Sequence, residues 1–266
     1  MNVPGAGAPG ALPGAPVEVA ADAAAPGWAA MVAGLRAHGT AVVYGGLAGW
    51  SPEPAGGAAL RTLLGRDWLR YAQLSHSTVR NRFAASRRLL KSAAAVALDT
   101  VPGELELSYG PTGRPSVRGR HGLDVSLSHA GNLLLVGLTT RGLIGVDAEP
   151  ADRALYGRRL ERRVCTPGER RDLGLLPDAE RNAGLVRLWT LKEAYSKAVG
   201  EGLGLRFSEL GFEVAGDSVR LHRPDGGPGA DGAWSFGTYA VHAAGTAYRL
   251  GVAVRDTGPA GCGGAQ

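Results

Sequence analysis

The sequence of 266 residues predicts an α+β fold made of two pseudo-symmetric halves. Two observations carry this. A helical period followed by strand signals occurs twice along the chain. The turns inside the strand-rich stretches are too short to hold crossover helices, so antiparallel pairing is expected. Each half should therefore pack a helix on a small antiparallel sheet.

Residues 1–27 are dominated by Ala, Gly and Pro and show no periodicity, which predicts a disordered leader. The N-terminal half is expected over 28–143. It opens with an amphipathic segment, Trp28 to Leu35. A basic helical region follows from Asp67 to Leu98. Val79, Phe83, Leu90 and Ala94 recur there at helical spacing, with Arg80, Arg87, Arg88 and Lys91 expected on the surface. Ser77 or Thr78 is positioned to cap the main helix. Gly110, Pro111, Gly113 and Pro115 mark a loop. Three strand signals come next. Leu123, Val125 and Leu127 alternate with Asp124, Ser126 and Ser128. Leu133 to Leu138 is continuously apolar, and Leu143 to Glu149 forms the third.

The C-terminal half is expected over 144–256. A basic helical stretch runs from Arg153 to Leu175, and a better-marked helix from Ala183 to Val199. Gly200 and Gly202 are placed to end that helix. Strand signals lie at Gly211–Val214, Ser218–His222, Ala233–Val241 and Tyr248–Val254. Residues 257–266 read as a loose tail.

Composition excludes several classes. At 44% hydrophobic residues the chain can bury a core. No apolar run approaches the length of a membrane span, and the N-terminus lacks the pattern of a secretory signal. Cys165 and Cys262 cannot build a disulfide framework. Cytoplasmic residence is the default. A net charge of +5 favours an acidic partner. Nucleic acid is disfavoured, because no zinc spacing or basic heptad array is present and aromatics are only 6%. Of 29 basic residues only Lys91, Lys192 and Lys197 are lysine. Coding bias makes arginine uninformative here, whereas a lysine that persists against it draws the eye.

Three segments point to chemistry. In Ile144-Gly145-Val146-Asp147-Ala148-Glu149-Pro150, strand geometry turns Ile144, Val146 and Ala148 to a core. It projects Asp147 and Glu149 together from the other face, about 6.6 Å apart. Two such carboxylates repel unless a cation lies between them, and oxygen-only ligands suit Mg²⁺. In Trp189-Thr190-Leu191-Lys192-Glu193-Ala194-Tyr195-Ser196-Lys197, Glu193 and Lys197 share a helix face, and two lysines flank one glutamate. In Ser126-Leu127-Ser128-His129, a serine pair and a histidine end a strand. Gly113-Arg114-Pro115 holds an arginine in a turn, and Arg80 and Arg82 pair on the basic helix.

In this order along the chain, these segments resemble the 4′-phosphopantetheinyl transferases of the surfactin-synthetase-activating type, over about Arg80 to Gly204. That type has two fused halves. The resemblance implies transfer of the phosphopantetheine arm of coenzyme A to a serine of an apo acyl or peptidyl carrier protein. Adenosine 3′,5′-bisphosphate is released, in the service of polyketide or nonribosomal peptide synthesis. It implies a cytoplasmic monomer with no nucleic-acid or membrane partner. Asp147, Glu149 and Glu193 would ligand Mg²⁺. Glu193 would also be the base, with Lys197 and His129 as catalytic partners. Ser128, His129 and Lys197 would hold phosphates. Arg114 would bind the nucleotide part, and Arg82 and Arg70 the 3′-phosphate or adenine side. Lys91 has no assigned role. The arginines at 158, 159, 162 and 163 either meet an acidic carrier or form a solvated face.

Overall fold

The computed structural model describes residues 12–52, 57–157, 159–216, 218–222 and 233–258. The N-terminal part contains β1 (Val17–Glu18), α1 (Pro26–His38), β2 (Thr40–Gly46), α2 (Leu47–Trp50), α3 (Gly57–Leu64), α4 (Trp68–Gln73) and α5 (Ser77–Leu98). Then come β3 (Leu107–Tyr109), β4 (Pro115–Val117), β5 (Asp124–Ala130), β6 (Leu133–Thr139) and β7 (Gly142–Pro150). The C-terminal part continues with α6 (Glu161–Val164), α7 (Pro167–Leu175), α8 (Asp178–Val199), β8 (Gly211–Ala215), β9 (Ser218–His222), β10 (Trp234–Ala243) and β11 (Thr246–Asp256).

Two main sheets result, ordered β1-β2-β6-β5 and β10-β11-β7. Each carries one 22-residue helix, α5 on the first and α8 on the second. Strand β6 shows why the layers form. Its side chains alternate by strand geometry, and all seven residues are buried. Leu134, Val136 and Leu138 join the core under α5. Leu133 and Leu135 pack with Ile144, Val146, Leu250 and Val252 in a core shared by the two sheets. The order is therefore helix, sheet, sheet, helix.

Several expectations are corrected. Asp67 to Leu98 is two helices, broken at residues 74–76, and α5 starts from His76 without a side-chain cap. Lys91 is not on the surface; it is fully buried and donates to the Leu63 carbonyl. Val79 is exposed rather than part of the apolar stripe. The strands β6 and β7 do not pair, despite the short turn between them. Both edges of β6 are already taken by β2 and β5, so β7 crosses to pair with β11. The first sheet also has a parallel edge, because β1 pairs with β2. Residues 12–19 are thus not a disordered leader. Tyr239 Oη in β10 donates to the Pro13 carbonyl at 2.9 Å, and Val19 is buried. Residues 20–27 of the expected leader are likewise described, with α1 starting at Pro26, whereas residues 1–11 and most of the expected tail lie outside the described residues. The helical stretch forecast from Arg153 begins only at Glu161.

The placement of α8 depends on two glycines. A Cβ on Gly145 in β7 would lie 1.8 Å from the Ala194 carbonyl oxygen, and one on Gly251 in β11 would lie 2.3 Å from that of Thr190. The helix backbone rests directly on the sheet there, which sets the height of Glu193 and Lys197 above β7. Gly200 ends the helix at φ 82°, its N–H bonded to the Ser196 carbonyl at 2.9 Å, as its spacing had suggested. Gly145→Ala should lower unfolding free energy by about 1–3 kcal/mol or more through overpacking, measurable by urea denaturation; wild-type stability in that variant would refute the close-approach reading.

Candidate functional site

The site gathers where β5, β7 and α8 meet. Lys197 Nζ donates to Asp147 Oδ1 at 2.6 Å and to Ser128 Oγ at 2.9 Å. Ser128 Oγ donates to the same Asp147 oxygen at 2.9 Å. One ammonium, one carboxylate and one hydroxyl thus converge from three elements. Asp147 Oδ2 is buried and has no hydrogen-bond partner among the described residues. An orphaned buried carboxylate oxygen is costly unless a cation or donor reaches it.

Glu193 lies one helical turn before Lys197 and makes no hydrogen bond to any described residue. Burial pushes its carboxyl up, and the negative charge of Asp147 adds to this, against Lys197 and Arg153. Glu149 is raised for the same two reasons, burial first and Asp147 second. It is turned toward Arg153, to which it is ion-paired, and accepts from Trp189 Nε1 at 3.2 Å. Arg153 also lies over the Trp189 ring at 5.4 Å. Asp147 therefore presses on both glutamates, beyond the effect of burial.

Among the described residues no group of three His, Cys, Asp or Glu side chains is arranged as a metal cluster. The donor chemistry nonetheless fits a hard divalent cation. All three candidates are carboxylates, and the unpartnered Asp147 oxygen and the two raised glutamates would each be relieved by positive charge. Glu149 is the outlying member, since Arg153 and Trp189 hold it.

On the other wall, His129 follows Ser128 along β5. Desolvation in the cleft, then the charges of Arg82 and Lys197, hold its imidazole below the usual histidine value. A neutral ring follows near neutral pH. Among the described residues Arg82 Nε is buried with no hydrogen-bond partner, and its charge is felt at His129. Arg70 is exposed and lies over the Phe83 ring at 5.5 Å. The same ring carries Arg87 at 4.0 Å on its way to Asp67.

Arg114 departs most from expectation. Its guanidinium is engaged by Asp124, the Lys197 carbonyl and the Ile144 carbonyl. Lys192 also departs. It is fully buried and points away from Glu193, donating to Glu169 Oε2 at 2.6 Å and to the carbonyls of Val164 and Phe207 at 2.6 and 2.9 Å. Glu169 in turn accepts from the N–H groups of Thr166 and Phe212. This pair pins α8 to the start of α7 and to β8. Of the arginine cluster, residues 159, 162 and 163 are exposed, while Arg158 lies outside the described residues.

Sequence reasoning missed Asp124, Arg153 and Trp189 as site neighbours. Signals existed for each. Asp124 shares the polar face of β5 with Ser126 and Ser128. Arg153 follows Glu149 by four residues, and Trp189 precedes Glu193 by four on the helix.

Residues 143–253 match the family model described as the 4′-phosphopantetheinyl transferase superfamily. The chain is 35% identical over 127 residues to the 4′-phosphopantetheinyl transferase HetI of a Nostoc species, covering 47% of this chain and 54% of that protein. It is 33% identical over 187 residues to a phosphopantetheinyl transferase of a Thraustochytrium species, covering 65% of each. The chain thus spans between half and two thirds of these relatives.

The raised Glu193 carboxyl makes a stability prediction. Its folded-state pKa lies above the ordinary 4.5, so ionisation opposes folding at neutral pH, and the penalty fades as pH falls toward the unfolded value. Glu193→Gln should raise Tm at neutral pH, with the gain vanishing near pH 4.5; thermal melts across pH check it. Lys192→Ala should instead cost about 3–5 kcal/mol by stranding Glu169, read by urea denaturation.

Proposed function

We propose that this chain, whose residues 143–253 match the model of the 4′-phosphopantetheinyl transferase superfamily, is a member of that superfamily and an enzyme that moves the phosphopantetheine arm of coenzyme A onto a serine of an apo carrier protein. The observation that carries the reading is Lys197 bridging Ser128 and Asp147 beside an unpartnered Glu193. Phosphoryl transfer needs charge neutralisation and alignment more than covalent help, and this cluster supplies both.

In this reading the carrier serine oxygen attacks the pyrophosphate phosphorus that bears the pantetheine arm. The new P–O bond forms as the bond to the bridging oxygen breaks. That oxygen leaves with its electron pair on adenosine 3′,5′-bisphosphate, and the serine proton passes to Glu193. A raised carboxyl pKa brings this base nearer to working pH. Lys197 is a compact point charge suited to a moving phosphate charge. The neutral His129 donates a hydrogen bond to a phosphate oxygen, and Ser128 does so by turning its hydroxyl from Asp147, while Arg82, with Arg70 further out, serves the 3′-phosphate side. Asp147, Glu149 and Glu193 would hold Mg²⁺. When bound, the ion would supply charge neutralisation on the pyrophosphate oxygens. Glu149 would have to exchange Arg153 for that role, which makes it the most weakly committed of the three.

We further infer a cytoplasmic monomer serving polyketide or nonribosomal peptide carriers. No described helix is long and apolar enough to cross a membrane. The deciding measurement is mass spectrometry of apo acyl and peptidyl carrier proteins incubated with the enzyme, coenzyme A and Mg²⁺. A gain of one phosphopantetheine is expected, and no gain across the panel would refute the reading. Lys197→Arg should lose about tenfold or more in kcat despite keeping its charge, because the larger fork cannot sit between Asp147 and Ser128. Full activity in that variant would remove the geometric argument for lysine.

A further inference from the structure

We propose that Arg114 and Asp124 form a clamp that positions Lys197, and that Arg114 is not a nucleotide ligand. The kinetic consequence rests on the transferase reading; the geometric consequence does not.

The last carbonyls of an α-helix have no partner within the helix. At the end of α8, Arg114 Nε donates to the Lys197 carbonyl at 2.8 Å, and Thr112 Oγ1 donates to the Gly200 carbonyl at 2.8 Å. The guanidinium fork grips Asp124 through both nitrogens, Nη1 to Oδ1 at 2.8 Å and Nη2 to Oδ2 at 2.5 Å. Its Nη2 also donates to the Ile144 carbonyl at 3.1 Å. Four of its five N–H donors are committed to protein. Asp124 completes the link, since its Oδ2 accepts from the Ile144 N–H at 2.8 Å.

The clamp therefore ties together α8 at Lys197, β5 at Asp124 and β7 at Ile144. These same three elements deliver Lys197 Nζ, Ser128 Oγ and Asp147 Oδ1 to one point. Both partners are largely shielded from solvent, where a bidentate charge-assisted pair is strong. Arginine is required because lysine offers one point charge instead of a planar fork. A cavity of about 180 Å³ adjoins the clamp, walled by Thr112, Arg114, Lys197 and Gly200. If the nucleotide sat there and relied on Arg114, removing Arg114 would weaken coenzyme A binding first.

The chain has only three lysines, so isotope-labelled lysine side chains give three resonances that can be assigned by substitution. In Arg114→Ala, the Lys197 ammonium signal should move toward that of a solvated lysine, while Lys91 and Lys192 stay in place and report an intact fold. An unmoved Lys197 signal overturns the proposal whether or not the protein is a transferase. In turnover, Arg114→Ala and Arg114→Lys should each lose about 10²-fold in kcat with coenzyme A affinity unchanged. A fall in affinity of about tenfold or more with kcat retained would make Arg114 a ligand and overturn the clamp. Should Arg114→Ala fail to fold, Asp124→Asn keeps the residue's size and tests the same joint with the same two readouts. Combining Arg114→Ala with Lys197→Ala should cost little beyond Lys197→Ala alone, because the two act as a unit; additive losses would argue against it. Absence of any carrier modification by the wild type would refute the transferase reading and leave the lysine spectrum to judge the clamp.

Discussion

Strands β5 and β7 lie side by side in the same direction without a backbone ladder, and the rest of the architecture depends on how that gap is closed. The N–H groups of Ile144 and Val146 face β5. They are taken by Asp124 Oδ2 at 2.8 Å and Ser126 Oγ at 3.1 Å. Side-chain oxygens stand where carbonyls would stand in a continuous sheet. This satisfies buried backbone donors while leaving the two sheets free to diverge around their shared core. A continuous ladder would have filled the space that Ser128, Asp147 and Lys197 now occupy.

The charge pattern follows from that seam. Asp147 sits on β7 just past the last bridged residue, nearly excluded from solvent. Burial, and after it the charge of Asp147, raises both Glu149 and Glu193. The counterbalance is uneven: Lys197 satisfies one Asp147 oxygen and Arg153 holds Glu149, while the other Asp147 oxygen and Glu193 have no hydrogen-bond partner among the described residues. Such imbalance weakens a fold, and proteins retain it mainly where a ligand or a reaction uses it. The contrast with Lys192 and Glu169 is instructive. That pair, which joins α8 to α7, is buried with each partner's contacts satisfied, and it ties the elements together.

Sequence patterns reached some levels of this structure and not others. Strand alternation correctly separated Ile144, Val146 and Ala148 from Asp147 and Glu149, because period-two geometry is local. The helical stop at Gly200 was legible for the same reason. Which edge of β7 would find a partner was not. Turn length at residues 140–141 favoured pairing with β6, but β2 occupies that edge from almost a hundred residues away. Lysine rarity singled out the three lysines, but the helical pattern set Lys91 on the surface, where it is in fact fully buried. Lys91 and Lys192 are held by carbonyls and a buried acid, and only Lys197 reaches the candidate site. Arg114 was legible as a special residue, but its partners belong to three elements that only the fold brings together. Alanine, glycine and proline content argued for disorder before residue 28, whereas Val17–Glu18 adds an edge to a sheet by main-chain bonds that composition does not encode.

That N-terminal segment has a consequence for assembly. Pro13 is bonded to Tyr239, 226 positions later, while Val17 and Glu18 pair with β2 of the first sheet. The segment spans from one sheet to the other like a strap. During synthesis its second anchor does not exist until nearly the whole chain has emerged. Closing so long a loop is slow relative to local helix and hairpin formation. The first sheet can therefore condense early, but the strap has no second anchor until β10 exists, so this contact is among the most non-local in the fold.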